Sequence, residues 1–242
     1  MSAVTDHYSA LLAPIYLWMA GGAEVALGRG AAELSTLGIA STHDVAATDL
    51  GAGFGMHAIA LSRLGYAVTA IDSSALLLAQ LQQLGGSDIR TVQTDLLDFQ
   101  AHLDTAQSLI LCMGDTLTHL STVEEVELLC SRVAAALAFG GRFIATFRDY
   151  THPVRGEGRF IPVRSDADRI HTCFLEADAE RIHVHDIVHE RQSDQWAMRV
   201  SRYPKLRLDP GHIVKLLAQN GLNVRREVGM RGMVRIVAAR GT

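Results

Sequence analysis

Three glycines at every second position, preceded by an aspartate, form the most chemically suggestive stretch of this sequence, Asp49-Leu-Gly-Ala-Gly-Phe-Gly55. Glycine lets a backbone approach a ligand closely because no Cβ stands in the way. A helix beginning just beyond the loop would aim free N–H groups at the same ligand. The chemistry served by such a loop is the gripping of a nucleoside. Two further carboxylates fit that purpose. Asp72 closes an apolar run and can accept both hydroxyls of a ribose lying across the loop. Asp95 is followed by Leu96, and a carboxylate with the next backbone N–H can hold the edge of a base. Downstream, Asp115, His119 and Arg148 are the side chains suited to proton transfer or ion pairing.

These residues need elements to place them. Val45–Leu50, Ala67–Ile71, Ile89–Gln93, Ser108–Met113 and Gly141–Phe147 are expected strands. Between them, His57–Leu64 (ended by Gly65), Ser74–Leu84 (ended by Gly85-Gly86) and Val123–Leu137 are expected helices. Strands separated by helices of this length imply a parallel sheet covered on both faces. Ahead of them, residues 5 to 40 have helical spacing, interrupted at Pro14 and stopped at Gly21-Gly22, with a second helix over Ala23–Leu37. The rhythm changes between Phe160 and Leu208. Phe160–Arg164, Arg169–Glu176, Arg181–Glu190 and Trp196–Leu208 follow one another as strands, most simply as an antiparallel meander. Asp209-Pro210 then has the form of an N-cap with proline at the first helical position. That helix ends at Asn220-Gly221, and two strands close the chain, Leu222–Val228 and Met233–Arg240.

Bulk composition narrows the field. Apolar residues make up 48% of 242, enough for a full core. A net charge of −4 without basic clusters argues against nucleic acid as the partner. Cys112, Cys130 and Cys173 are odd in number and far apart, so neither a disulfide framework nor a paired-thiol zinc site is expected. The start of the chain has neither the basic opening of a secretory signal nor an uninterrupted apolar span. A cytoplasmic protein without a membrane partner is the expectation.

Asp-x-Gly-x-Gly-x-Gly, an acid after the second strand and Asp-Leu after the third together resemble the class I S-adenosylmethionine (SAM)-dependent methyltransferases. The likeness covers about residues 40 to 150 and the last two strands, whose arrangement resembles that family's final antiparallel hairpin. It implies an α/β, Rossmann-like, mostly parallel seven-stranded sheet with helices on both faces. It also implies an antiparallel β insertion after strand five and an N-terminal helical lid. The expected division is a lid over 1–40, a SAM-binding core over 41–150, a meander over 151–208 that covers substrate or forms a dimer contact, and a C-terminal helix and hairpin over 209–242. By the same resemblance, Asp49, Gly51, Gly53 and Gly55 surround the methionine part of SAM. Asp72 and Ser73 hold the ribose, and Asp95 and Leu96 meet the adenine. The strand-four end, Met113 included, faces the sulfonium and the methyl acceptor. Gly114-Asp115-Thr-Leu-Thr-His119-Leu120 resembles the Gly-Asn-x-x-x-His-Leu pattern of small-molecule N-methyltransferases, with Asp115 in place of Asn.

Methyl transfer to a nitrogen or oxygen of a small molecule is the function implied. His119 is then the first candidate base and Asp115 the second. Arg148 could fork onto a substrate carboxylate, Tyr150 opens on the same sheet edge, and Tyr16 and Trp18 could close an apolar cover over the acceptor. A non-catalytic SAM-binding module is the second possibility. A nicotinamide oxidoreductase is the third, and it loses its main support because the third glycine of a dinucleotide fingerprint would fall at 56, where Met56 stands. A metal-dependent O-methyltransferase is disfavoured, since Tyr150 follows Asp149 where that group has asparagine. His183 and His185 share a strand face, but no third ligand has convincing spacing, so no metal is expected.

Overall fold

Strand β1 (Val45–Leu50), whose last four residues are buried, is the axis of the main sheet. It pairs in parallel with β2 (Tyr66–Asp72) on one side and β4 (Gln107–Cys112) on the other. β3 (Arg90–Gln93) extends the sheet beyond β2, and β5 (Leu137–Phe147) extends it beyond β4. The hairpin of β10 (Leu222–Val228) and β11 (Val234–Arg240) completes it, with β11 antiparallel to β5. The order β10-β11-β5-β4-β1-β2-β3 therefore reverses direction at β1 and β4. At such a switch point the loops leave in opposite directions and open a crevice at the carboxyl ends of the strands. The computed structural model that gives this arrangement describes residues 4, 7–85, 88–152 and 154–241.

Helices cover both faces. α2 (Ala23–Thr36), α3 (Met56–Arg63) and α4 (Ala75–Gly85) pack on one side through Leu34, Ile59, Leu61 and Leu81. α5 (Val123–Ala136) and α6 (Pro210–Gln219) pack on the other through Val126, Leu129, Ile213 and Leu217. Successive residues of β4 serve opposite sides, Leu109 and Leu111 one, Ile110 and Cys112 the other, so the last four residues of the strand are all apolar. Each fully buried Leu or Ile contributes about 1.5–3 kcal/mol. As expected, Asp209 caps α6 by accepting from Gly211 N at 2.8 Å, with Pro210 next to it.

Boundaries differ in two instructive places. Pro14 does not break the N-terminal helical path. The chain runs through it as a wide turn (Tyr8–Leu12), a tight 3₁₀ turn (Ala13–Ile15) and α1 (Tyr16–Met19), because a residue without an N–H is tolerated where the helix changes pitch. β5 starts directly after α5, with a register shift against β4 near Gln107. Gly86, expected to help end α4, lies outside the described residues.

The remaining strands form a second, antiparallel sheet, β6 (Phe160–Ser165), β7 (Arg169–Ala177), β8 (Arg181–Gln192) and β9 (Gln195–Leu206), in that order. Its inner face, with Leu175, Ile182, Val184 and Tyr203, packs on Tyr150 beyond β5. Among the described residues no single helix is long and apolar enough to cross a membrane.

Gly30 lets α2 touch the start of α3, the helix that follows the glycine loop. A Cβ there would lie 2.2 Å from the Met56 carbonyl oxygen. Helix propensity favours alanine over glycine by about 1 kcal/mol, but overpacking against a fixed backbone costs about 1–3 kcal/mol. Gly30→Ala is therefore expected to lower the urea midpoint of unfolding. A raised midpoint would mean the two helices separate freely.

Candidate active site

A cavity of about 370 Å³ opens at the switch point. Its floor is the loop after β1. Gly51 has φ +71°, and a Cβ on it would lie 2.3 Å from the Thr116 side chain in the turn after β4, so only glycine lets the two loops meet. Gly51 N and Ala52 N both donate to Ile71 O, at 2.8 and 3.0 Å, fastening the loop to the end of β2. Asp72 then draws the loop inward. One of its oxygens accepts from Gly53 N and the other from Ser74 N, each at 2.8 Å. Burial raises the Asp72 carboxyl above its ordinary range, against the pull of those donors.

Gly51, Gly53, Asp72, Ser73, Asp95, Leu96, Tyr16 and His119 all line this cavity, as do Tyr8, Thr94 and Thr116. Asp95 also caps the following 3₁₀ turn by accepting from Leu97 N at 2.8 Å, which uses one of its oxygens. Asp49 sits beneath the loop, 2% exposed, with Oδ2 buried and without a hydrogen-bond partner. Burial pushes its pKa up to about 6, opposed by nearby His57. Because the folded value is raised, ionised Asp49 costs stability: about 3 kcal/mol is lost as pH rises from about 4 through 6.

The β4 end is organised by charge. Asp115, buried, accepts from Arg148 N at 2.8 Å through Oδ1, while Oδ2 binds the Arg148 guanidinium and takes Lys205 Nζ at 2.7 Å. Burial alone would raise the Asp115 pKa, but Lys205 and then Arg148 hold it well below the carboxylate range. Asp115 is thus an ion-pair anchor and not a second base. Arg148 gives one guanidinium nitrogen to Asp115 and stays half exposed, and it is not among the residues lining the cavity. Thr118 N donates to Asp115 O at 2.9 Å, turning the chain so that His119 faces the cavity.

His119 lies edge-on to the rings of Tyr8 and Tyr203, at 5.7 and 5.6 Å. Burial, helped by Lys205, lowers its pKa to about 3, so the imidazole is neutral at ordinary pH. Its Nε2 is buried without a partner. Tyr16 packs against Phe54 and Tyr8 above Gly53. Four other expected site residues stand elsewhere. Trp18 donates to Asp166 at 2.5 Å and stacks under Arg164 and Arg169, away from the cavity. Tyr150 belongs to the small core under the second sheet, Met113 to the main core, and Gly55 makes room for Leu81. His183 and His185 pair with Asp178 at 2.8 Å and Glu176 at 3.2 Å, on the outer face of β8.

Residues 47–141 match a family model described as a methyltransferase domain. Residues 47–141 thus carry a methyltransferase domain. Solved structures share its fold at low identity. The CcbJ methyltransferase of Streptomyces caelestis is 19% identical, with 88% of this chain and 89% of that one covered and a TM-score of 0.72. Streptomyces venezuelae DesVI is 18% identical, with coverage of 88% and 92% and a TM-score of 0.72. SAM-bound CalS10 of Micromonospora echinaspora, an amino pentose methyltransferase of calicheamicin biosynthesis, is 15% identical, with 90% of each chain covered and a TM-score of 0.72. A search of curated proteins gives no match.

The methyltransferase domain draws on residues that sequence reasoning missed. Lys205 reaches Asp115 across 90 positions, and Tyr203 packs on His119 from the same strand. Their one sequence signal was a lysine at a buried place in an alternating strand. Asp115→Asn should destabilise the fold by about 3 kcal/mol, the lower end for a buried pair because the Arg148 side chain is 49% exposed. The Asp115 pKa is depressed on folding, so its stabilisation is present above about pH 4 and is lost as pH falls below that. Urea midpoints measured from pH 3 to 7 should therefore fall more steeply in acid for wild type than for Asp115→Asn.

Proposed function

We propose that this chain methylates an amine nitrogen of a small molecule, with SAM held along the glycine loop. Asp72 and Ser73 would take the ribose, Asp95 and Leu96 the adenine, and Gly51 and Gly53 the methionine part, with Asp49 beneath. The residues fit a cationic ligand: the carboxylates Asp72, Asp95, Asp98 and Glu125 line the cavity together with the rings of Tyr8 and Tyr16. SAM supplies an electrophilic methyl group on a leaving sulfur, so the acceptor nitrogen needs only its lone pair and loses a proton.

The observation that carries the choice of nitrogen is that His119, the one imidazole lining the cavity among the described residues, is a weak base, while the lining carboxylates Asp72 and Asp95 are assigned to the cofactor. Asp115 is neutralised by Lys205 and Arg148, and His119 has a pKa of about 3. An alcohol would need a base to become nucleophilic, whereas an amine has a neutral, nucleophilic fraction that grows as pH rises. His119 Nε2, neutral and unpaired, can accept a hydrogen bond from the acceptor and orient it. The N-terminal segment and second sheet would cover that acceptor. Fold neighbours described as a sugar N-methyltransferase (KedS8) and a glycopeptide N-methyltransferase (MtfA) support nitrogen as the methylated atom.

Asp72→Ala should weaken SAM binding about 10–100-fold in a calorimetric titration, the value of charge-assisted hydrogen bonds of about 1.5–3 kcal/mol. Unchanged affinity would remove the ribose assignment. His119→Ala should lower turnover about tenfold or more while SAM affinity stays within about threefold. Turnover should rise with pH in both proteins, because that limb belongs to the acceptor amine. Loss of the limb in the variant would show that His119 itself titrates as the base.

A further inference from the structure

The inner face of the second sheet carries a cluster that the cavity does not use. Strand register sets Cys173 opposite Asp186, and Asp186 opposite Ser201. His171 stands two residues from Cys173 and so shares its face. His171 Nε2 is 2.7 Å from Asp186 Oδ1, and Cys173 Sγ is 2.7 Å from the same oxygen and 3.8 Å from His171 Nε2. His171 and Asp186 are each 1% exposed. The other Asp186 oxygen meets His7 Nε2 at 2.9 Å, and His7 Nδ1 meets Ser201 Oγ at 2.7 Å.

We propose that His171, Cys173 and Asp186 bind one zinc ion, with His7 fixing the orientation of the Asp186 carboxylate. Three donor atoms of different kinds, nitrogen, sulfur and oxygen, lie within 4.8 Å of one another. Zinc bonds of about 2.0–2.3 Å in tetrahedral geometry separate such donors by about 3.3–3.7 Å. The observed spacings bracket that range, so shifts of under about 1 Å complete the site. A thiolate and a carboxylate balance the charge of a divalent ion. A sulfur and an imidazole select zinc over the hard ions magnesium and calcium.

Binding breaks the Cys173 S–H bond and sends its proton to solvent as a sulfur–zinc bond forms, while water leaves the hydrated ion. Coordination replaces the hydrogen bonds that Cys173 Sγ and His171 Nε2 make with Asp186 Oδ1, and the His171 ring proton then resides on Nδ1, which is buried and unpartnered. His7 keeps both of its bonds, one to the free carboxylate oxygen and one to Ser201, as partners of zinc ligands commonly do. Three protein donors leave a fourth coordination position for an exchangeable ligand. The ion would join β7 to β8 and, through His7, stiffen the attachment of the N-terminal segment.

Cobalt(II) added to the chelator-treated full chain tests this. One ion per chain should bind, with the visible absorption of four-coordinate cobalt and a thiolate-to-cobalt charge-transfer band, and zinc should displace it. Cys173→Ser should lose the charge-transfer band and bind at least about tenfold more weakly, whereas the His183→Ala/His185→Ala double variant should keep both. Mass-spectrometric mapping on wild type, with zinc shielding Cys173 from alkylation, makes the test independent of how the serine variant folds. A wild-type spectrum without the thiolate band would overturn the proposal. So would equal labelling of Cys173 with and without zinc, or a band abolished by the double variant.

Discussion

Burying a carboxylate without a counter-charge costs several kcal/mol, and Asp115 avoids that cost because cations reach it from two different sheets. Arg148 follows β5 of the main sheet, and Lys205 lies on β9 of the second. Once Asp115 is pinned, its carbonyl fixes the turn that carries Thr116 and His119. Thr116 then rests on Gly51, and His119 faces the cavity between two tyrosines. Loop geometry, the position of His119 and sheet docking therefore share one electrostatic origin.

The two deepest acids of the site are treated oppositely. Asp115 is fully compensated and contributes stability, whereas Asp49 is left with an unpaired oxygen and a raised pKa. The second arrangement is unfavourable for the ligand-free fold. It is the kind of local cost that binding sites carry.

Much of the fold was legible in the sequence, because period-two and period-3.6 patterns with glycine stops record local backbone preference. β1 and β10 match their expected bounds, and α2 and β2 do so within a residue. The glycine loop with Asp72 and Asp95 was legible for the same reason, since each follows directly from the strand before it. What was not legible depends on contacts between distant segments. The ion pairing of Asp115, the turning of Trp18 toward Asp166 and the burial of Tyr150 are set by the second sheet, whose docking leaves no mark in local spacing. The His-x-Cys pair at 171 and 173 was visible. Its meeting with Asp186 required the register of β7 on β8.

His7 of the N-terminal segment makes polar contacts with strands made nearly 200 residues later, with Asp186 and Ser201 at separations of 179 and 194. Chain closure over such distances is entropically slow. Tyr16 packs on Phe54 of the glycine loop, whereas Tyr8 gains its contact with Tyr203 only once β9 exists. A chain stopped short of β9 would therefore keep the glycine loop and Tyr16 on Phe54 but lack the Tyr203 ring that braces Tyr8 and His119.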